Sequence, residues 1–195
     1  MVNTYSECLE PLEDAIKKLN NMNISTARVG GLLSEIWVAS ELEKLGLKPR
    51  LGNNRKDKKA DIYLDEINKR VEVKYAKPHY FHGIKAWGFN FGNGSQIKEE
   101  KFDFCVLVIA DDCGIPKEAY ILALKELKDG DNIKLGLRKD GKEHYDIHIC
   151  ENLKDYEEYM NEWGFKKTDL EIELHEEPNK YKDWNRIKSK NSKKN

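Results

Sequence analysis

The sequence predicts a mixed α/β fold in which helices flank one mixed β-sheet. Three observations lead to this fold class: helical periodicity opens the chain, short alternating segments follow it, and a wholly apolar run lies near the middle. At 195 residues the chain is long enough for one sizeable core. We therefore expect a single domain over residues 1–175, including an N-terminal helix, and a basic tail over residues 176–195.

Three helices are predicted from periodicity and capping residues. Apolar side chains recur at helical spacing through residues 5–21. A second helix runs from about Thr26 to Leu45, and Gly46 is typical of the position just past a helix end. Residues 152–163 form the third, with Asn152 as its N-terminal cap.

The strands are predicted between these helices. Residues 60–64 and 70–76 alternate around a polar turn, which favours an antiparallel hairpin. The continuous apolar run Phe104–Ala110 indicates a central strand that is buried on both faces. The other candidates are a weak strand at 48–51 and clearer ones at 119–124 and 145–150.

Composition and charge exclude several protein classes. The hydrophobic share of 39% and the charged share of 35% are typical of a folded globular chain rather than a disordered one. No apolar run approaches the ~18 residues that a bilayer span needs. The first residues lack the basic-then-apolar order of a signal peptide, so we expect a cytoplasmic protein.

Basic residues are concentrated in two segments although the net charge is −1. Residues 47–59 contain six of them and residues 178–195 contain seven. Such patches allow a surface that follows phosphate groups. They are equally compatible with solvated faces and a frayed terminus.

Cysteine and histidine do not indicate a transition-metal or disulfide site. The four cysteines are scattered without a C-x-x-C pair, and we expect free thiols. His79 and His82 have a spacing that metals use, but no third ligand accompanies them.

Glu72 and Lys74 are the first two residues whose side chains could act together in catalysis. Alternation along the strand places both side chains on one face. A carboxylate holds a hard cation, and a lysine beside it can orient or deprotonate water or steady the charge of a phosphorane, which suits phosphodiester hydrolysis. The same pair is common on exposed strands, so it does not assign a function by itself.

Asp61 extends this pair only if the hairpin has a suitable register. Directly opposite residues of an antiparallel pair share one face of the sheet. Pairing of Asp61 with Glu72 or Lys74 would gather the three groups, whereas pairing with Val73 would place Asp61 on the far face. The turn residues do not choose between these registers.

Glu35 is the only charged residue between Arg28 and Glu41 on the second predicted helix. Apolar residues flank it at helical spacing, and an unpaired buried carboxylate is costly. Lys74 or a metal-bound water would be a suitable partner. The alternative is a pair with Arg28 or a position at the solvent-exposed helix edge.

These positions resemble the pattern of the PD-(D/E)XK nuclease superfamily. The matching residues are Gly31, Glu35, Asp61, Glu72 and Lys74. The resemblance spans roughly residues 26–110, and Ala60 stands before Asp61 where the pattern has proline. It implies a restriction endonuclease-like αβββαβ core.

The resemblance also implies the chemistry of the site. Asp61 and Glu72 would bind Mg²⁺, for which Mn²⁺ would substitute, and Glu35 would be an auxiliary ligand. Lys74 would position the attacking water. Hydrolysis of DNA by this site would leave a 5′-phosphate and a 3′-hydroxyl.

Residues 77–96 are predicted to be a long connection that resembles the corresponding segment of restriction enzymes. The segment is rich in glycine, aromatic and hydrogen-bonding side chains, and long loops of this kind are often functional. Five side chains are candidates for contacts with DNA phosphates or base edges: Lys77, Lys85, Asn90, Asn93 and Gln96. The alternative is an aromatic-rich loop that packs on the core.

A type II restriction endonuclease acting on double-stranded DNA is the function that this pattern favours most. We expect a homodimer, because a small chain needs two sites to cut two strands. The alternatives are a junction resolvase or repair nuclease of the same superfamily, or a DNA- or partner-binding module without activity.

Overall fold

A computed structural model describes the chain at residues 4–22, 24–52, 60–92, 94–129, 134–137, 143–163 and 168–188. Its helices are α1 (Leu9–Asn21), α2 (Ala27–Lys44), α3 (Ser95–Lys98), α4 (Leu124–Lys128), α5 (Leu153–Trp163), α6 (Asp169–Glu176) and α7 (Pro178–Lys182). Its strands are β1 (Arg50–Leu51), β2 (Ile62–Leu64), β3 (Lys69–Ala76), β4 (His79–Phe81), β5 (Ile84–Asn90), β6 (Phe104–Ala110), β7 (Pro116–Ala123), β8 (Lys134–Leu137) and β9 (Glu143–Cys150). Short 3-10 helices lie at Tyr5–Cys8, Asp65–Ile67 and Trp184–Lys188.

The central layer is a five-stranded sheet in the order β1-β2-β3-β6-β7. Strands β3 and β6 run parallel, and the other neighbours are antiparallel. Helix α2 packs on one face, where Ala39 and Leu42 meet Val106 and Val108 of β6. The predicted mixed sheet with flanking helices is confirmed.

The other face of the central sheet packs on a second sheet, which is antiparallel and has the order β4-β5-β9-β8. Leu107 and Ile109 of β6 lie there in one cluster with Trp87, Phe89 and Ile147 of the second sheet. Every residue of β6 is buried, as its continuous apolar run predicts.

The capping signals at two helix ends are confirmed. Gly46 follows α2 with φ of +77°, a conformation that glycine adopts without steric cost. The Asn152 side-chain oxygen accepts a hydrogen bond from the backbone N–H of Asp155 at 2.8 Å, at the start of α5.

The prediction of a long connection at residues 77–96 was wrong. Strands β4 and β5 form a hairpin there, and β5 carries Trp87 and Phe89 into the core. Ile84 and Ala86, on the opposite face of β5, are also buried, in a cluster with residues of α5. Because both faces are apolar, the segment lacks the alternation by which a half-buried strand is recognised.

Part of the segment predicted to be a basic tail packs against the sheet. Tyr181 of α7 and Ile187 are almost fully buried. The Arg186 guanidinium donates to the Ile121 carbonyl and pairs with Glu126. The basic composition of this segment therefore does not reveal that it is packed. Its long basic side chains reach partners at the surface, while the apolar neighbours point inward.

All four cysteines, Cys8, Cys105, Cys113 and Cys150, are free thiols. None of the helices in the described part of the chain combines the length and apolar content that crossing a bilayer demands.

Candidate active site

The register of the β2–β3 hairpin places Asp61 and Glu72 on the same face of the sheet. Ile62 pairs with Val71, so the next residues outward, Asp61 and Glu72, lie opposite each other. The backbone N–H of Val73 donates to Asp61 Oδ2 at 2.7 Å. This is one of the registers that gathers the polar groups.

Glu72 and Lys74 are joined directly and share a third partner. Lys74 Nζ lies 2.7 Å from Glu72 Oε1, and the Glu72 residue is only 3% exposed. The side-chain amide of Gln96 donates to the same Glu72 oxygen at 2.9 Å and accepts from Lys74 Nζ at 3.2 Å. The ring of Phe91 lies under the ammonium, 5.6 Å from Nζ to the ring centre.

These contacts keep Lys74 charged. Burial opposes the charged form, but the charge of Glu72 and its hydrogen bond outweigh burial, and the pKa of Lys74 is raised. The group at this position is therefore an ammonium at neutral pH. It is suited to donating hydrogen bonds and stabilising negative charge, and not to removing a proton.

Glu35 on α2 is electrostatically coupled to the two carboxyl groups of the hairpin. Burial, followed by the charges of Asp61 and Glu72, raises the pKa of Glu35 to about 7. Among the residues that the structure describes, no cation pairs with Glu35, and Arg28 is exposed. The helix thus adds a third carboxyl group to the site.

The close approach of α2 to β3 depends on Gly30. A Cβ atom at this position would lie 2.6 Å from the ring of Tyr75, whereas a Cβ at Gly31 would meet nothing within 4 Å. The glycine of the sequence pattern, Gly31, therefore has no steric role here. Its neighbour Gly30 lets the helix lie close enough to the strand to bring Glu35 to the hairpin.

The neighbouring Glu72 makes ionisation of Asp61 less favourable. Burial and the charge of Glu72 raise the pKa of Asp61 to about 6, against the Val73 N–H and the charge of Lys74, and a side-chain hydrogen bond joins the two carboxyl groups. Two adjacent carboxylates in a buried site repel each other, and the Lys74 ammonium offsets only part of this effect on Asp61. This is the electrostatic situation that a divalent cation relieves.

The donor set fits a hard cation in chemistry, although its side chains are not gathered into a ligand cluster. Carboxylate oxygens are the ligands that Mg²⁺ prefers. Among the described residues, however, no three acidic, imidazole or thiol groups already stand close enough to hold a metal ion. One oxygen of Glu72 already accepts from Lys74 and Gln96, so a cation bound by all three carboxyl groups would require these side chains to rearrange.

The residues predicted to contact DNA lie in different surroundings. Lys85 lies 3.5 Å from Asp112 and 3.9 Å from Glu151, so its charge is compensated. The amide of Asn90 donates to Asp146 at 2.7 Å on the second sheet. Asn93 lies outside the described residues.

The other two predicted DNA contacts are Gln96 and Lys77, of which Gln96 contacts Glu72 and Lys74. Gln96 belongs to the site itself through its bonds to Glu72 and Lys74. Lys77 follows the end of β3 and lines a cleft beside α2. Sequence reasoning missed the contacts of Gln96 and Phe91, because both reach Lys74 only after the β4–β5 hairpin has folded back across the sheet.

Comparison of the chain with models of known protein families and with curated proteins found no match. The geometry of these side chains is therefore the basis for assigning a function.

Proposed function

We propose that the protein is a Mg²⁺-dependent DNA endonuclease of the PD-(D/E)XK type, and that it is a type II restriction endonuclease. One observation carries the proposal: the hairpin register puts Asp61 and Glu72 opposite each other beside the charged Lys74, and the charges of both carboxyl groups act on Glu35 of α2. Three carboxyl groups with a buried ammonium are a suitable set for hydrolysing a phosphodiester with the aid of a divalent cation.

The order of the strands supports this assignment. Helix α2 is followed by antiparallel β1, β2 and β3, and β6 runs parallel to β3. The proposed restriction endonuclease-like core would have its elements in this order, except between β3 and β6. That connection contains the β4–β5 hairpin and the four-residue α3 where the αβββαβ pattern has a helix.

Asp61 and Glu72 would hold the ion, with Glu35 as an auxiliary ligand. When held by these residues, Mg²⁺ would supply activation of the attacking water and compensation of the negative charge that develops at phosphorus. A cation held there would favour the ionised form of Asp61, whose pKa is raised without it.

Lys74 supplies a fixed positive charge beside the scissile phosphate. Because Glu72 favours its charged form, Lys74 is suited to orienting the attacking water and to stabilising the phosphorane-like charge. Gln96 positions Lys74 by accepting from Nζ, while its amide N–H group holds Glu72. The buried, water-poor surroundings strengthen both interactions.

The test is incubation of the purified chain with plasmid DNA and Mg²⁺ or Mn²⁺, followed by mapping of the ends. Double-strand cuts at one sequence support a restriction endonuclease, and a homodimer in solution would supply the two sites. Selective cutting of four-way junctions would assign a resolvase instead. A pure wild-type chain that binds DNA yet never cuts it would contradict the proposal and indicate a binding module.

The first variants are Asp61→Ala and Lys74→Ala. Each should lower the cleavage rate by roughly 10²–10³-fold or more, because each removes a group that stabilises charge in the transition state, while affinity for duplex DNA changes little. The matched controls Asp65→Ala and Lys125→Ala remove the same kinds of charge from exposed positions. Cleavage by either site variant at the wild-type rate would refute the site assignment.

A further inference from the structure

Helix α3 carries a second basic group next to the candidate active site. The helix comprises only Ser95–Lys98, and its Gln96 contacts both Glu72 and Lys74. Lys98 follows Gln96 by two residues, which corresponds to about 5 Å between their Cα atoms in a helix. Since residues two apart do not share a helix face, the Lys98 side chain leaves α3 on the side away from Glu72.

Two neighbouring aromatic rings connect Lys98 with Lys74. The backbone N–H of Phe91 donates to the Tyr145 carbonyl at 2.7 Å, and both side chains pack in the cluster between the two sheets. The Lys74 ammonium lies 5.6 Å from the ring centre of Phe91, and the Lys98 ammonium lies 5.2 Å from that of Tyr145. Residues paired in this way have Cβ atoms about 4.5–5.5 Å apart. The two ammonium groups therefore lie over adjacent side chains.

Packing fixes α3 against these rings. Gly94 precedes the helix with φ of +69°, and a Cβ atom there would lie 2.8 Å from the ring of Tyr145. Ile97 is buried in the same cluster as Phe91. The backbone that carries Lys98 is thus held in a defined position relative to Glu72 and Lys74.

Lys98 is the uncompensated cation of this segment. Its side chain is exposed, and none of the carboxylates in the described part of the chain forms an ion pair with it. The two acidic residues that follow it are both compensated, because Glu99 pairs with Lys101 at 3.0 Å and Glu100 pairs with Lys128. An unpaired ammonium at the surface favours an anionic ligand such as a phosphate group.

From these contacts we propose that Lys98 binds a phosphate of the substrate strand within a few nucleotides of the cut. One DNA strand advances about 3.4 Å per nucleotide along the helix axis, so a strand with its scissile phosphate at Lys74 can reach the Tyr145 ring over this span. The proposal rests on the proposed function, since the carboxyl groups decide where the scissile phosphate lies. Lys98 is not among the five side chains for which the sequence predicts contacts with DNA.

Three variants test this contact without changing the candidate active site. Lys98→Ala removes the charge, and Lys98→Arg keeps it. Lys154→Ala removes another exposed lysine, from α5, which packs on the face of the second sheet opposite to the two rings. Binding of a fluorescein-labelled linear duplex is measured by anisotropy in metal-free buffer at several salt concentrations, so that binding is read without cleavage.

The salt dependence of binding should distinguish the three variants. Lys98→Ala should reduce the slope of log K against log salt by about 0.9, which is the loss of one phosphate contact. Lys98→Arg should keep the wild-type slope, because a guanidinium carries the same charge and also binds phosphate. Lys154→Ala should bind as the wild type does, and circular dichroism checks that all variants are folded.

The outcomes separate this inference from the proposed function. A wild-type slope for Lys98→Ala, or a slope lowered equally in Lys98→Arg or in Lys154→Ala, would overturn the Lys98 proposal, whether or not the protein cuts DNA. A chain whose binding depends on the Lys98 charge yet never cuts with Mg²⁺ or Mn²⁺ would overturn the nuclease proposal alone. A wild-type chain with no affinity for duplex DNA would overturn both.

Discussion

The contacts of Gln96 differ from the contact with DNA that its sequence context suggested. Its position in a polar, aromatic-rich segment suggested a contact with DNA, whereas its amide lies on Glu72 and Lys74. A side chain that is bonded in this way positions other groups. Its removal should change the rate of the chemical step more than the affinity for DNA.

Gln96→Ala is therefore expected to lower the single-turnover cleavage rate at saturating DNA by roughly 10- to 100-fold, the usual effect of removing a group that orients ligands. The dissociation constant for duplex DNA should stay close to that of the wild type. A large loss of affinity with an unchanged rate would instead indicate that Gln96 contacts DNA.

Glu35 gives the metal-free protein a specific pH dependence of stability. The pKa of Glu35 is raised from 4.5 to about 7 in the folded state, chiefly by burial. A carboxyl group with a raised pKa stabilises the folded state when protonated, so this contribution is present at low pH and is lost as the pH rises from about 4.5 to about 7. Asp61, with its pKa raised to about 6, acts in the same direction.

Glu35→Gln should weaken this dependence. In a buffer with a chelator, the variant's free energy of unfolding should fall less than that of the wild type between about pH 4.5 and 7. Urea denaturation at a series of pH values measures the difference. Identical pH profiles would show that Glu35 is not held in the buried, acidic surroundings described above.

At the scale of elements, the packing of α2 on β3 is what carries Glu35 to the hairpin. Gly30 and Tyr75 form the tightest point of this contact, and the Tyr75 hydroxyl is held by the Gly114 carbonyl. The ring cannot move away from a new methyl group without losing that hydrogen bond. Gly31 stands beside Gly30 on the same helix and has open space around it.

Replacing each of the two glycines with alanine should therefore change the free energy of unfolding in opposite directions. Gly30→Ala is expected to lower the free energy of unfolding by about 1–3 kcal/mol through overpacking. Gly31→Ala should raise it by about 0.5–1 kcal/mol, because alanine loses less backbone freedom in a helix. Denaturant titrations of both variants make the comparison, and equal effects would contradict the packing described for Gly30.

At the scale of the whole molecule, the C-terminal segment belongs to the core. Ile187 is completely buried in the cluster that also contains residues of α2 and β6. Lys180, Lys182 and Arg186 pair with Glu173, Glu118 and Glu126, so these described bases of the segment are compensated. The segment closes the face of the sheet beside α2.

Ile187→Ala should therefore cost about 2–5 kcal/mol of unfolding free energy, the range for a large-to-small change in a packed core. The exposed neighbour Lys188 provides the control, and Lys188→Ala should change stability by less than about 0.5 kcal/mol. A freely moving tail would show no effect for either variant, as thermal or urea denaturation would reveal.

The sequence alone was sufficient for the mixed α/β class, for α1, α2, α5 and the β2–β3 hairpin, and for the central position of β6. These features depend on local periodicity, capping residues and a long apolar run, and each of these signals can be recognised within a short stretch of consecutive residues. The sequence also pointed to Asp61, Glu72, Lys74 and Glu35 as candidates for the site.

Only the tertiary structure decided the hairpin register, the second sheet, the burial of the C-terminal segment and the contacts of Gln96. Register changes by one residue without any change in local pattern, yet such a shift moves Asp61 to the other face. Strands that are apolar on both faces, such as β5, lose the alternation that reveals half-buried strands. The chemistry of Lys74 depends on partners distant in the chain, and their approach is set by the packing of whole elements.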